Sequence, residues 1–316
     1  MIASGHYGFS AMRDAFFSAM FDLMSSDERV VFLTGDLGYK LFNPLRKIAP
    51  ERTINFGIRE AAMVGFASGL ARSGMLPFVY SIAPFITLRC LEQIKIDLCY
   101  NRSKVILAGV GGGFSYGPNG PTHHGVDDLG TLSCLPGLQV WVPADPLEVR
   151  SCLRKVSSLD GPAYLRLGRN GEPNIHGAIP NIDNPMVLRE GNDGVLIACG
   201  VILHEAFKAC ELLAADGIRP RVIHVPILRP FPRDFMMSAL LRGAPVMTVE
   251  EHVPVGGLGQ EMATCLAESG MGSRFRMLSI PSAFPGRCMS RKALLKWAGI
   301  DAAAIARKFK VLMTGA

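Results

Sequence analysis

No apolar stretch in the sequence approaches the length of a membrane span, so no membrane-embedded segment is expected. The N-terminus, MIASGHYGFSAMRDAF, lacks a basic region ahead of an apolar core, so no secretory signal is expected and the protein reads as cytoplasmic. None of the eight cysteines forms a CxxC pair and their spacing is irregular. They read as small buried hydrophobes in a reducing compartment, not as a disulfide frame. The 33 Lys+Arg and 27 Asp+Glu leave a net charge of +6, spread along the chain with no basic run. That excludes a nucleic-acid arm. Charged residues are only 19% of the chain.

What is present is core material. Apolar residues make up 49% of 316 residues, which excludes a disordered chain, a collagen-like repeat and a small disulfide scaffold. At ~150 residues per domain the length suggests two domains. Short apolar runs alternate with helical segments. Strands are expected at 30–34, 78–81, 104–109, 139–142 and 163–167, and helices at 10–24, 58–72, 88–100, 127–134 and 146–157. Near-continuous apolar strands between helices predict a mostly parallel sheet covered on both faces. The stretch 168–192, rich in Pro, Gly and Asn, reads as a connector. A second alternating unit follows, with strands at 195–199, 221–225 and 246–249 and helices at 203–216, 258–269 and 291–298. The expected division is 1–180 and 181–316, each an α/β unit.

Four segments carry chemistry. In Asn55-Phe-Gly-Ile-Arg-Glu60-Ala-Ala-Met-Val-Gly-Phe-Ala-Ser-Gly-Leu70, helical spacing gathers Ala61, Gly65 and Ser68–Gly69, so something packs closely against this helix. Glu60 begins it. A helix-start glutamate is favoured by the dipole alone; a carboxylate in an apolar pocket can also share a proton with a ligand nitrogen. The loop from Gly109 to Asp128 follows a strong strand and holds seven glycines, which are not expected to be there to pack a core. It is neither a Walker loop nor GxGxxG, yet a loop at a strand's carboxyl end is where open α/β sheets bind ligands. His123 and His124 lie in it; they either cap the next helix or do polar catalysis. No metal site is expected, because no other His or Cys stands at ligand spacing. Arg166 and Arg169 close the first unit, each a surface residue or an anion fork. Thr248 to Glu261 reads as strand, glycine turn and helix, either a tight turn or an anion site at the helix N-terminus.

Taken together, Thr34-Gly-Asp36-Leu37, Gly57-Ile-Arg-Glu60-Ala-Ala-Met63, Gly120-Pro-Thr-His123, LQVWVPAD at 138–145, Arg166 to Arg169 and Thr248 to Gly259 resemble, in this order, the C-terminal half of transketolase. The diphosphate-binding marker of that family, Gly-Asp-Gly, is missing; the nearest match is Gly35-Asp36-Leu37. The chain is thus similar to the B subunit of split transketolases, with a pyrimidine-binding domain and a C-terminal domain. The resemblance implies a separate N-terminal-half subunit holding the diphosphate and Mg²⁺ of thiamine diphosphate, an A₂B₂ assembly with a B–B contact, and sugar or sugar-phosphate substrates. It implies that Glu60 hydrogen-bonds the aminopyrimidine nitrogen of the cofactor and promotes loss of the thiazolium C2 proton. It implies that Phe85, or its rival Ile86, stacks on the pyrimidine, and that Asp36 and Leu37 lie beside it. His123 matches a histidine on the donor sugar's oxygens, with His124 a weaker candidate. Arg169 matches a phosphate-binding arginine.

Two departures stand out. The family aspartate of Asp-Gly-Pro-Thr-His is Asn119 here, and a phosphate-contacting histidine falls at about Gly111. Asn119 can hydrogen-bond but carries no charge. Both changes point from ordinary pentose phosphates to a specialised sugar pathway, and Asn119→Asp with Gly111→His is the substitution pair they suggest. The nearest rivals are the β subunit of a 2-oxo acid dehydrogenase, the C-terminal half of a deoxyxylulose phosphate synthase, and a non-catalytic scaffold subunit; Glu60 and His123 together argue against the last.

Overall fold

The computed structural model describes residues 11–169 and 171–315. In chain order the strands are Val30–Thr34 (β1), Thr53–Asn55 (β2), Leu76–Ile82 (β3), Ile106–Val110 (β4), Gln139–Trp141 (β5), Ala163–Leu167 (β6), Met186–Arg189 (β7), Val195–Ala198 (β8), Arg221–His224 (β9), Ile227–Arg229 (β10), Val246–Val249 (β11) and Phe275–Leu278 (β12). They form a seven-stranded sheet, β10-β5-β6-β4-β3-β1-β2, and a five-stranded sheet, β12-β11-β8-β9-β7. Only β10 and β7 pair antiparallel, each at a sheet edge. This is the expected fold class. β1, β4 and β6 are buried at every position, which is why they read as near-continuous apolar runs, with Arg166 the one charge inside β6.

Most of the expected helices form, with ends shifted by up to two residues. The first runs Met12–Ser26; its expected start at Ser10 lies outside the described residues. The helix Pro146–Ser158 begins on Asp145, whose side chain accepts from Glu148 N, with Pro at the first turn. One expected helix, 88–100, breaks into a 3₁₀ turn, a short α turn and the π-helix Ile94–Tyr100. The cause is side-chain insertion: Ser68 Oγ and Ser103 Oγ both donate to the Asp97 carbonyl, at 2.8 and 2.9 Å, and draw it away from the helical ladder. The close packing expected against Glu60–Arg72 is this contact, since Gly65 faces Asp97 and Ser68 bonds it.

Several elements were not legible. The helix Tyr39–Ile48 contains Pro44, β2 is three residues long, and the final helix Ala302–Thr314 had no expected counterpart. The stretch 168–192 is not wholly a connector, because its end forms β7. β10, from the second half of the chain, completes the first sheet by pairing with β5. One apolar core also runs from Val79 and Leu107 of the first sheet to Ile197 and Ile223 of the second.

Candidate active site

β1, β2, β3, β4 and β6 run parallel, so their carboxyl ends share one edge of the first sheet. That edge gathers residues far apart in sequence: Asp36 and Leu37 after β1, Glu60 after β2, Phe85 after β3, His123 after β4 and Arg169 after β6. This is where open α/β sheets place ligands.

Glu60 opens the helix Glu60–Arg72 and is 3% exposed. Ser81 Oγ donates to its Oε1 at 3.3 Å, and Arg89 Nη1 to its Oε2 at 2.7 Å. A Cβ on Gly35 would stand 3.6 Å from Glu60 Oε1, so the turn carrying Leu37 and the exposed Asp36 lies against this carboxylate. The side chain of Arg89 is 44% exposed and also lies over the Phe85 ring at 4.3 Å. Phe85 is half-buried and borders a cavity of about 550 Å³ closed by 280–285 of the second half. Ile86 is not a rival for stacking: it is fully buried in the core beneath the sheet edge, because the turn Ala83–Ile86 presents Phe85 outward and Ile86 inward.

His123 meets the edge of Phe85 with ring centroids 5.1 Å apart. Its Nδ1 pairs with Thr122 Oγ1 at 2.9 Å, and its Nε2 has no partner among the described residues. Burial, then the charges of His124 and Arg169, lower its pKa and favour the neutral ring. His124 is buried, bonds the Gly117 carbonyl through Nε2 at 3.0 Å and packs edge-on against Phe114. It borders the cavity but holds the loop. Asn119 is exposed in the turn Gly117–Asn119.

Arg169 lies over the Tyr116 ring at 4.3 Å, and Tyr116 is 5.8 Å from His123. The charge of Arg13 also reaches Tyr116, and Arg13 Nε is buried with no hydrogen-bond partner among the described residues. Neither Arg13 nor Tyr116 was singled out from sequence. Arg13 lies on the first helix with no local motif around it, so only folding brings it here.

Three expectations are corrected. Arg166 holds no ligand. It is buried and spent on Asp128 Oδ2 at 3.0 Å and on the carbonyls of Gly125 and Glu251, because a guanidinium inside a sheet must be fully paired. The helix Leu258–Glu268 offers no external anion site, since Glu250 accepts from Leu258 N and Gly259 N at 2.8 and 2.9 Å and fills that N-terminus itself. Glycines of the loop do serve packing: a Cβ at Gly109, Gly112 or Gly113 would meet Tyr164, Arg166 or Glu251 at 2.6 Å or less.

Gly111 has φ +87°, and a Cβ there would stand 2.1 Å from Tyr116 Cε2. Gly111→His is therefore expected to destabilise the chain by roughly 2–4 kcal/mol through backbone strain and overpacking. An unchanged denaturant midpoint would contradict this. Paired with Asn119→Asp, it tests stability before specificity.

Among the described residues, Asp145, Glu148 and His176 bring oxygen and nitrogen atoms within 4.8 Å of one another. Hydrogen bonds engage all three. Asp145 accepts from Glu148 N, Ile175 N and His176 N, and Glu148 faces His176 and His224.

Residues 10–172 match the family described as "Transketolase, pyrimidine binding domain", and residues 184–305 match "Transketolase, C-terminal domain". The chain is 36% identical over 267 residues to the B subunit of an apulose-4-phosphate transketolase of Actinobacillus succinogenes, covering 83% of this chain and 85% of that protein. It is 31% identical over 264 residues to a 6-deoxy-6-sulfo-D-fructose transketolase subunit of a Clostridium species, covering 82% and 81%. A solved split-gene transketolase, described as an inactive β4 tetramer, superposes with a TM-score of 0.85 at 30% identity, covering 97% of this chain and 99% of that one. The domain pair and the split-gene relatives, matched over most of both lengths, place this chain in the transketolase family, with the pyrimidine-binding and C-terminal domains and a likeness to the B subunits of split transketolases.

Proposed function

We propose that this chain pairs with a separate subunit carrying the diphosphate-binding domain, in an A₂B₂ assembly, and transfers a two-carbon ketol unit between sugars that end in a tetrahedral oxyanion. The observation that carries this is the row Glu60, Phe85, His123, Arg169 along one sheet edge. Two relatives support the oxyanion end, since one is named for a sugar phosphate and the other for a sulfo sugar.

The residues fit the pyrimidine half of thiamine diphosphate. Glu60 offers a buried carboxylate, and Phe85 a partly exposed ring that borders the cavity of about 550 Å³. When bound, the cofactor supplies the nucleophilic carbon that carries the ketol unit. Glu60 holds and returns a proton at the ring nitrogen facing it. Arg89 now covers Phe85 and pairs with Glu60, so it swings outward when a ring takes that place; its exposure permits this. The neutral His123 gives and takes a proton at the substrate oxygens through Nε2. Arg169 and Arg13 face the far, anionic end. The one group of metal-competent side chains among the described residues is engaged elsewhere, so we assign Mg²⁺ and the diphosphate to the partner subunit. Eight free thiols, six of them buried, suit a reducing, cytoplasmic setting.

Calorimetric titration of thiamine diphosphate with Mg²⁺ tests the assignment. Binding is expected to the two-chain complex, with little to this chain alone, and to be lost in Glu60→Ala. Tight binding by the isolated chain would overturn the division of labour.

A further inference from the structure

We propose that Tyr116 is the specificity-determining residue of the cleft's anionic end: its ring fills the space over Gly111 and holds the Arg169 guanidinium for a substrate's terminal phosphate or sulfonate. This rests on the ketol-transfer function proposed above and names the residue that selects its substrate.

Three observations carry it. The family's phosphate-contacting histidine falls at about Gly111, but no side chain fits there, because Tyr116 Cε2 and Cδ2 lie 2.1 and 2.2 Å from a Cβ at that position. Tyr116 is 8% exposed, so little of its surface faces solvent. Arg169 lies on that ring at 4.3 Å, and its charge acts on the Tyr116 hydroxyl. A guanidinium stacked on a ring keeps a fixed plane at small entropic cost and presents its remaining N–H groups outward. Tyr116 also stands between Arg169 and His123, whose ring is 5.8 Å away. The order Phe85, His123, Tyr116, Arg169 thus runs from the cofactor ring to the charged end. Burial raises the pKa of Tyr116 against the opposing charges of Arg169 and Arg13, so it remains a neutral hydroxyl. The site therefore exchanges a titratable imidazole for an uncharged platform under an arginine of permanent charge.

The test uses Tyr116→Leu and Tyr116→Phe in the two-chain enzyme, with aldehyde acceptors ending in phosphate, sulfonate or a plain hydroxyl. Tyr116→Leu is expected to raise KM for the oxyanion-ended acceptors about tenfold relative to the hydroxyl-ended one, and Tyr116→Phe about threefold, the loss falling on KM and not on kcat. The larger of the phosphate and sulfonate losses identifies the anion the cleft is built for. An unmoved KM ratio in Tyr116→Leu overturns the proposal; where that variant does not fold, an unmoved ratio in Tyr116→Phe does so. A separate readout isolates this from the ketol-transfer reading. Inorganic phosphate and sulfate are titrated into the isolated chain and followed by NMR. Weaker binding in the variants supports the Tyr116 assignment even if no sugar pair turns over. Equal binding, or none to the parent chain, overturns it.

Discussion

Glu60→Gln is expected to cut the turnover of the two-chain enzyme by at least about a hundredfold, within the range that positioned proton transfer contributes. Glutamine keeps the shape of the side chain and its place at the start of the helix Glu60–Arg72. Its one amide oxygen can still accept from Arg89, and its NH₂ can donate to the Ser81 hydroxyl, which reverses its role; these two groups now hold the two carboxylate oxygens. What it lacks is a proton it can give up and take back. Folding is not expected to suffer, because the half-exposed Arg89 can turn to water once its partner is neutral. The far-ultraviolet circular dichroism and unfolding midpoint should therefore match the parent while kcat collapses. Turnover within tenfold of the parent would remove Glu60 from the proton-transfer role.

The second large effect concerns stability. Glu148→Gln is expected to cost about 3 kcal/mol in a denaturant titration, as when one partner of a buried charged network is deleted. Glu148 is fully buried and meets three groups: Ala144 N at 2.7 Å, His176 Nε2 at 2.7 Å and His224 Nε2 at 2.8 Å. The other nitrogen of His224 faces the Ala198 carbonyl at 3.2 Å. Both its nitrogens thus face oxygen atoms. A glutamine there turns an NH₂ toward a donor and leaves the network unbalanced. The network joins the helix Pro146–Ser158 to the stretch bearing His176 and, through β9, to the second sheet. Its loss should loosen the two halves together.

The pH dependence has a definite sign. Burial pushes the Glu148 carboxyl up, but the charge of His224 and the hydrogen bonds of both histidines win and hold it at about 2. Its stabilisation is full above the ordinary value of 4.5 and lost as pH falls through about 2. His176 is raised from 6.5 because its bond to Glu148 outweighs its burial, so its share is full below 6.5 and lost as pH rises through the raised value. The junction is therefore strongest between about pH 4.5 and 6.5. Parallel pH curves for Glu148→Gln and its parent would contradict this account.

The sequence by itself determined the parts of this protein that depend on local pattern. Near-continuous apolar runs such as those of β1 and β4 announced buried parallel strands, since a strand covered on both faces has no polar side to show. Periodicity located most of the long helices, and the order of short motifs named Glu60, Phe85, His123 and Arg169. What it missed depended on contacts distant in the chain. Phe85 and Ile86 are neighbours in sequence, and only the turn at Ala83–Ile86 decided which faces the cleft. Arg166 and Arg169 have similar surroundings in sequence. Asp128 consumes the first, while Tyr116 supports the second. The break of the 88–100 helix depends on Ser68, and the helix N-terminus after the glycine turn is filled by Glu250. β10 left its own half of the chain for the first sheet because a three-residue strand carries no partner preference in its sequence. Tertiary structure alone decided these points. A side chain's role is set by the group that satisfies its charge or hydrogen bonds, and in each of these cases that group was brought to it by folding.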